Sequence, residues 1–194
     1  MPVPRFFWVA LFSAMVLVQT RGTNHLCGAE PLPPEAVKAT YLIYFGLYVQ
    51  WPQAAVPQAP DQFVIGILGE DPFGGHLKKY VGRDLNGRRI VVRHFATMEQ
   101  YTPCHVLFIS HAPAEGRKET AAERLEAAME VVGKQPVLIV TETASFARRG
   151  SVINFEDDRQ AKLIRMEINR TAERRAELQV SADLLNLSVV TVVQ

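Results

Sequence analysis

The sequence has few cysteines and almost no surplus of basic residues, and each deficit excludes a class of protein. Only two of its 194 residues are cysteines, Cys27 and Cys104, which excludes a framework of several disulfides. The 21 Lys and Arg residues are balanced by 20 Asp and Glu residues, whereas nucleic-acid-binding proteins usually carry a basic excess. The five histidines lack the i, i+4 spacing of a helical metal site. We therefore expect no nucleic-acid partner, no metal and no cofactor.

The common catalytic motifs are also missing. The chain contains no G-x-S-x-G nucleophile elbow, no G-x-G-x-x-G fingerprint and no G-K-[ST] phosphate loop. Cys104 and His105 are adjacent, and neighbouring residues of a strand face opposite sides, so they cannot form a thiolate–imidazole pair. No nucleophile, base and orienting group occur together. We expect a protein without catalytic residues that is not an enzyme.

No apolar run is long enough to span a bilayer, which takes about 20 residues. The longest run is Phe6–Val18, 13 residues that follow Arg5, and it is typical of a signal-peptide core. Small residues favour cleavage after Gly22 or after Ala29, so residues 1–29 are predicted to hold a signal peptide that directs the protein to the periplasm, with no membrane insertion after cleavage. An uncleaved signal anchor is the alternative. Cleavage after Gly22 would let Cys27 pair with Cys104, but we favour Cys104 as a buried free thiol.

Residues 30–194 are predicted to form a single α/β domain. Four aliphatic runs have the length of buried strands, and helical stretches alternate with them, which indicates a mostly parallel mixed sheet flanked by helices in two or three layers. An antiparallel hairpin at the sheet edge, two short helices and an apolar tail are expected at the C-terminus. The predicted strands are Phe63–Leu68, Ile90–Phe95, His105–Ile109, Pro136–Thr141, Val152–Phe155 and Lys162–Ile168; the predicted helices are Glu35–Gln50, Phe73–Tyr80, Lys118–Val132, Arg170–Leu178 and one from Ser181, before the tail Val189–Val193.

The first predicted helix is apolar on nearly every side. Tyr41, Phe45 and Tyr48 recur at i, i+4 and i+7, and Trp51 follows one turn later, before Pro52 ends the helix. A surface helix would show one apolar stripe. The helix must therefore be covered, either by the core or by a partner protein or second copy that contacts these four aromatic residues.

A glycine-rich turn follows the first buried strand. Open α/β sheets bind ligands beyond the carboxyl ends of their strands, so Gly69, Glu70, Asp71 and Phe73 are a candidate ligand pocket. The two acidic side chains would repel a phosphate. The competing interpretation is a tight turn whose acidic side chains stabilise the N-terminus of the helix that follows.

Seven stretches, taken in their order along most of the chain, resemble the YfiR/HmsC-like family of small periplasmic regulators. The similar stretches are Val37–Pro52, Phe63–Gly74, Cys104–Ser110, Pro136–Glu142, Phe146–Phe155, Met166–Asn169 and Ser181–Leu187.

This resemblance implies a regulatory protein that binds another protein. The named members of the family restrain a membrane-bound diguanylate cyclase by contacting its periplasmic part, which lowers cyclic-di-GMP signalling and biofilm formation. The expected partner is thus an inner-membrane signalling protein, a diguanylate cyclase or a sensor kinase, and a homodimer is also expected. The redox-sensitive disulfides associated with the family are not matched by the two cysteines here. A periplasmic sensor of a small ligand is the alternative function.

Overall fold

The computed structural model describes residues 32–52 and 60–194 of the chain. The predicted signal peptide and Cys27 lie outside these residues. The helices are α1 (Pro34–Tyr48), α2 (Ala121–Val132), α3 (Phe146–Arg149), α4 (Arg170–Arg175) and α5 (Ala182–Leu185). The strands are β1 (Val49–Gln50), β2 (Gln62–Leu68), β3 (Asp84–Leu85), β4 (Arg88–Phe95), β5 (Val106–Ile109), β6 (Leu138–Thr141), β7 (Ile153–Asp158), β8 (Leu163–Asn169), β9 (Gln179–Val180) and β10 (Val190–Val193).

Within the described ranges, eight strands form one mixed sheet in the order β10-β8-β7-β6-β5-β2-β4-β3. Neighbouring strands run parallel except in the β7–β8 and β3–β4 pairs. Strands β1 and β9 form a separate antiparallel pair. This arrangement confirms the predicted mostly parallel mixed sheet and its C-terminal hairpin.

The sheet is covered on both faces, which gives three layers. Alternate residues of a strand face opposite sides. On one face, α1 contributes Leu42 and Phe45 to a core that includes Ile65 and Phe108. On the other face, α2 packs Leu125, Ala128 and Val132 with Leu107 and Ile139. Among the described helices, none is long and apolar enough to cross a membrane.

The predicted helix Phe73–Tyr80 is wrong. The segment forms turns and ends in one 3-10 turn, Lys78–Tyr80. Gly74 and Gly75 have φ angles of +56° and +88°, in the left-handed region that no right-handed helix contains.

The predicted edge position of the hairpin is also wrong. Strand β10, which the sequence indicated only as an apolar tail, pairs in parallel outside β8 and forms the sheet edge instead. Helix α1 also stops two residues earlier than predicted. Val49 is already extended there, with φ −115° and ψ 136°, because it pairs with Val180.

Candidate interaction site

An aromatic groove lies between the outer side of α1 and the α5 region. Its volume is about 290 Å³. Three large side chains of α1 reach solvent next to it: Tyr44 is 46% exposed, Leu47 48% and Tyr48 37%, and Leu187 on the opposite wall is 42% exposed. We call this the aromatic groove; its lining residues are Tyr41, Tyr44, Phe45, Tyr48, Asp183, Leu184 and Leu187.

The position of Gly46 explains which side of α1 faces outward. A Cβ atom at Gly46 would lie 2.9 Å from Cζ of Phe63, so the glycine lets the helix approach the sheet closely. Lys38 fixes the other end of α1 through an ion pair with Glu142, with 2.8 Å between Nζ and Oε2. With the inner side of the helix seated in this way, Tyr44 and Leu47 are directed away from the core.

The two walls of the groove are tied together by backbone hydrogen bonds. The N–H of Ser181 donates to the carbonyl oxygen of Tyr48 at 2.8 Å, directly beyond the pairing of Val49 with Val180. The hydroxyl of Ser181 accepts from the N–H of Leu184 at 3.3 Å and so caps α5. The end of α1 and the start of α5 are therefore held in a fixed relation.

The groove carries little charge. Asp183 is the single acidic residue of its lining, and no basic residue lines it among those described. Burial raises the pKa of the Tyr41 hydroxyl, so this residue is neutral at physiological pH. The surface favours an apolar ligand or side chain with a positive charge next to it.

The four aromatic residues singled out in the sequence occupy different environments. Tyr41 and Tyr48 line the groove. Phe45 is fully buried and forms its floor, with its ring centre 6.0 Å from that of Phe155. Trp51 packs elsewhere, edge-on against Phe63 at 5.8 Å and His105 at 5.6 Å.

Sequence reasoning missed Tyr44, Leu47, Asp183 and Leu187. The all-round apolar character of α1 was a usable indication for the first two. The contribution of α5 depends on a tertiary contact that no local pattern reveals.

The other predicted residues, Gly69, Glu70, Asp71 and Phe73, lie together beyond the carboxyl end of β2. Gly69 has φ +99°, and a Cβ atom there would lie 2.6 Å from the carbonyl oxygen of Ala112, so the turn requires glycine. Phe73 is buried against Phe108, with 4.9 Å between ring centres. Asp71 accepts a hydrogen bond from the N–H of Phe73 at 2.9 Å and lies 3.0 Å from Nε2 of His94.

Arg124 occupies the space beside this turn. From β2 the chain passes to strands on one side of the sheet, and from β5 it passes to β6 on the other side. The gap between β2 and β5 is therefore a topological switch point, and open α/β sheets bind ligands at such points. Here the buried guanidinium of Arg124 donates to the carbonyl oxygens of Ser110 and His111 at 2.9 Å each, and also to that of Glu119. The two terminal nitrogens of Arg124 are therefore engaged within the protein itself, whereas its Nε has no hydrogen-bond partner among the described residues.

Comparisons with known proteins identify a family and two solved structures with some similarity to this chain. The family model described as YfiR/HmsC-like matches residues 35–189. No curated protein matches the sequence. A conserved domain protein from Vibrio cholerae has a similar structure, with a TM-score of 0.51 and 14% identity over 84% of this chain and 61% of that chain. For the ABC domain from Streptococcus pneumoniae in complex with L-Trp, the TM-score is 0.48 and the identity 12%, over 82% of this chain and 61% of that chain.

The chain therefore spans 61% of the length of each of these two structures. At 14% identity, the likeness to the Vibrio cholerae protein shows a shared α/β fold.

Proposed function

The chain belongs to the YfiR/HmsC-like family, and from that premise we propose that it binds and restrains an inner-membrane signalling protein, a diguanylate cyclase, through that protein's periplasmic part. Membership in the family suggests a periplasmic regulator without catalytic activity. In this proposal the cyclase makes less cyclic-di-GMP while the regulator is bound, and biofilm formation falls as a result.

The aromatic groove is the observation that carries the proposal. Soluble proteins rarely leave contiguous large apolar side chains exposed unless the surface binds something. Tyr44, Leu47 and Tyr48 form such a surface on α1, and Leu187 extends it across the groove. Tyrosine is enriched among the residues that dominate binding energy at protein interfaces.

The chemistry of the groove defines the segment that would bind there. An apolar side chain of the cyclase would enter between α1 and α5, and a basic residue beside it would pair with Asp183. Binding lowers cyclase activity only when the regulator has a higher affinity for the inactive conformation than for the active one. In this proposal, the segment of the cyclase that enters the aromatic groove is therefore more accessible in the inactive conformation of the cyclase.

Leu47→Glu tests the proposal. The substitution places a charge on the exposed apolar surface of α1, beside Tyr44 and Tyr48, and we expect affinity for the purified full-length cyclase to fall at least about tenfold, since the apolar contacts that dominate an interface are worth more than about 1 kcal/mol each. Binding is measured by biolayer interferometry on the cyclase in detergent, and cyclic-di-GMP synthesis is measured in parallel. Val131→Glu is the matched control, because Val131 is 46% exposed on α2, at the opposite face of the sheet.

Two outcomes would contradict the proposal. One is a Leu47→Glu protein that binds and inhibits the cyclase as the Val131→Glu protein does. The other concerns a second copy of this chain, which is the competing occupant of the groove. If Leu47→Glu converts a dimer into a monomer in light scattering and leaves cyclase binding intact, the groove is a dimer interface and the cyclase binds elsewhere.

A further inference from the structure

A second cavity lies away from the aromatic groove, between α2, α4 and the amino ends of β6 and β7. Its volume is about 240 Å³, and the two sites share no lining residue. Most of its walls are aliphatic or thioether side chains. The principal ones are Met129, Val132, Val137, Ile139 and Val152.

Gly150 keeps the cavity open next to Arg175. A Cβ atom on Gly150 would lie 2.6 Å from the sulfur of Met129 and 3.3 Å from Nη2 of Arg175. Any other residue at this position would therefore occupy the space between the two side chains. The guanidinium of Arg175 consequently borders a volume that is lined mostly by apolar side chains, with Gln135 as the other polar side chain.

Arg175 also differs from the arginines around it. Arg174 donates to the hydroxyl of Thr171 at 3.2 Å, Arg170 pairs with Glu173 at 2.8 Å, and Arg149 pairs with Glu126 at 3.0 Å. The exposed side chain of Arg175 makes no hydrogen bond or ion pair with any other residue in the described part of the chain. A planar guanidinium forms two parallel hydrogen bonds with a carboxylate, which makes it well suited to this anion.

We propose that this cavity binds a small aliphatic monocarboxylate. The carboxylate lies on Arg175, and the hydrocarbon tail lies among Met129, Val132 and Val152. One cation fits a single negative charge, and the aliphatic walls fit a tail without polar groups. The volume lies just below the usual range of about 300–1,000 Å³ for ligand pockets, so the ligand is short. This site is independent of the binding surface proposed for the cyclase.

Hexanoate is the probe, and the methyl resonance of Met129 is the reporter. The protein is labelled with ¹³C at its methionine methyl groups, and a Met129→Leu variant identifies the resonance that lines the cavity. We expect hexanoate to shift this resonance in a saturable manner and hexan-1-ol, which has the same tail without the charge, to bind at least about tenfold more weakly. Arg175→Gln should weaken hexanoate binding by a similar factor, and the matched Arg174→Gln variant should bind as the unmodified protein does.

The proposal is overturned if hexanoate leaves the Met129 resonance unshifted at about 10 mM, a concentration that detects even millimolar affinities. It is also overturned if hexan-1-ol binds as tightly as hexanoate, or if a folded Arg175→Gln protein retains full affinity. Should Arg175→Gln fail to fold, the comparison of hexanoate with hexan-1-ol on the unmodified protein decides the question alone.

Discussion

At the scale of single residues, His105 is a histidine that the fold keeps neutral. It is 0% exposed, and its Nδ1 accepts a hydrogen bond from the N–H of Val64 at 3.0 Å. The rings of Trp51 and Phe63 pack on it. Burial first, and the positive charge of Arg88 second, lower the pKa of His105 to about 4.

This lowered pKa predicts that the protein loses stability in mild acid. The unfolded state has a histidine pKa of about 6.5, so between that pH and about 4 it binds a proton that the folded state does not. The free energy of unfolding should therefore fall as the pH drops through this window, by roughly 3 kcal/mol in total. Urea unfolding at several pH values measures the change.

His105→Gln provides the comparison, because glutamine does not titrate and its amide oxygen can accept the hydrogen bond of Val64. The variant should show a smaller loss of stability between about pH 7 and pH 4 than the unmodified protein. Equal losses in both proteins would show that His105 is not the group responsible.

At the scale of elements, α2 illustrates how a local motif sets a boundary. The sequence predicted a helix from Lys118, but the helix begins at Ala121 because Thr120 caps it. The hydroxyl of Thr120 accepts from the N–H of Glu123 at 3.2 Å, and the carboxylate of Glu123 accepts from the N–H of Thr120 at 2.8 Å. This reciprocal capping box satisfies two backbone donors that the helix itself cannot.

Thr120→Ala should lower the free energy of unfolding by about 1 kcal/mol, the usual cost of losing an N-cap side chain. Chemical denaturation of the variant and the unmodified protein measures the difference. Thr97→Ala is the control, since Thr97 precedes a 3-10 turn without a capping hydrogen bond from its side chain. If both variants lose the same stability, the capping box contributes nothing specific.

The elements also show what could be predicted from the sequence. Strands β2, β5 and β6 are buried on both faces, so their continuous aliphatic runs identified them. Strand β10 escaped prediction because its pairing partner, β8, lies more than 20 residues earlier, and only tertiary structure brings them together. The aromatic groove was predicted only in part, for the same reason. Tyr41 and Tyr48 belong to a local helical pattern, whereas Asp183 and Leu187 reach the groove through the tertiary contact of α5.

At the scale of the whole molecule, one sheet carries two hydrophobic cores. The strands β5 and β6 contribute Phe108 and Val140 to the core under α1, and Leu107 and Ile139 to the core under α2. Because the two cores share these strands, unfolding of the strands in one core exposes the residues of the other core. We therefore expect the residues from 32 to 194 to unfold in a single cooperative transition.

Leu42→Ala and Leu125→Ala test this coupling from opposite faces, because both leucines are 0% exposed and each belongs to a different core. Each substitution should lower the free energy of unfolding by about 2–5 kcal/mol, whereas Leu32→Ala, at a side chain that is 68% exposed, should change it little.

Trp51 fluorescence reports the α1 side, where Trp51 packs on Phe63, and far-UV circular dichroism reports the whole domain. In a cooperative protein, Leu125→Ala shifts both curves to the same denaturant midpoint, although the substitution lies on the face away from Trp51. A shift of the dichroism curve with an unchanged fluorescence midpoint would mean that the two cores unfold separately and that the shared sheet does not couple them.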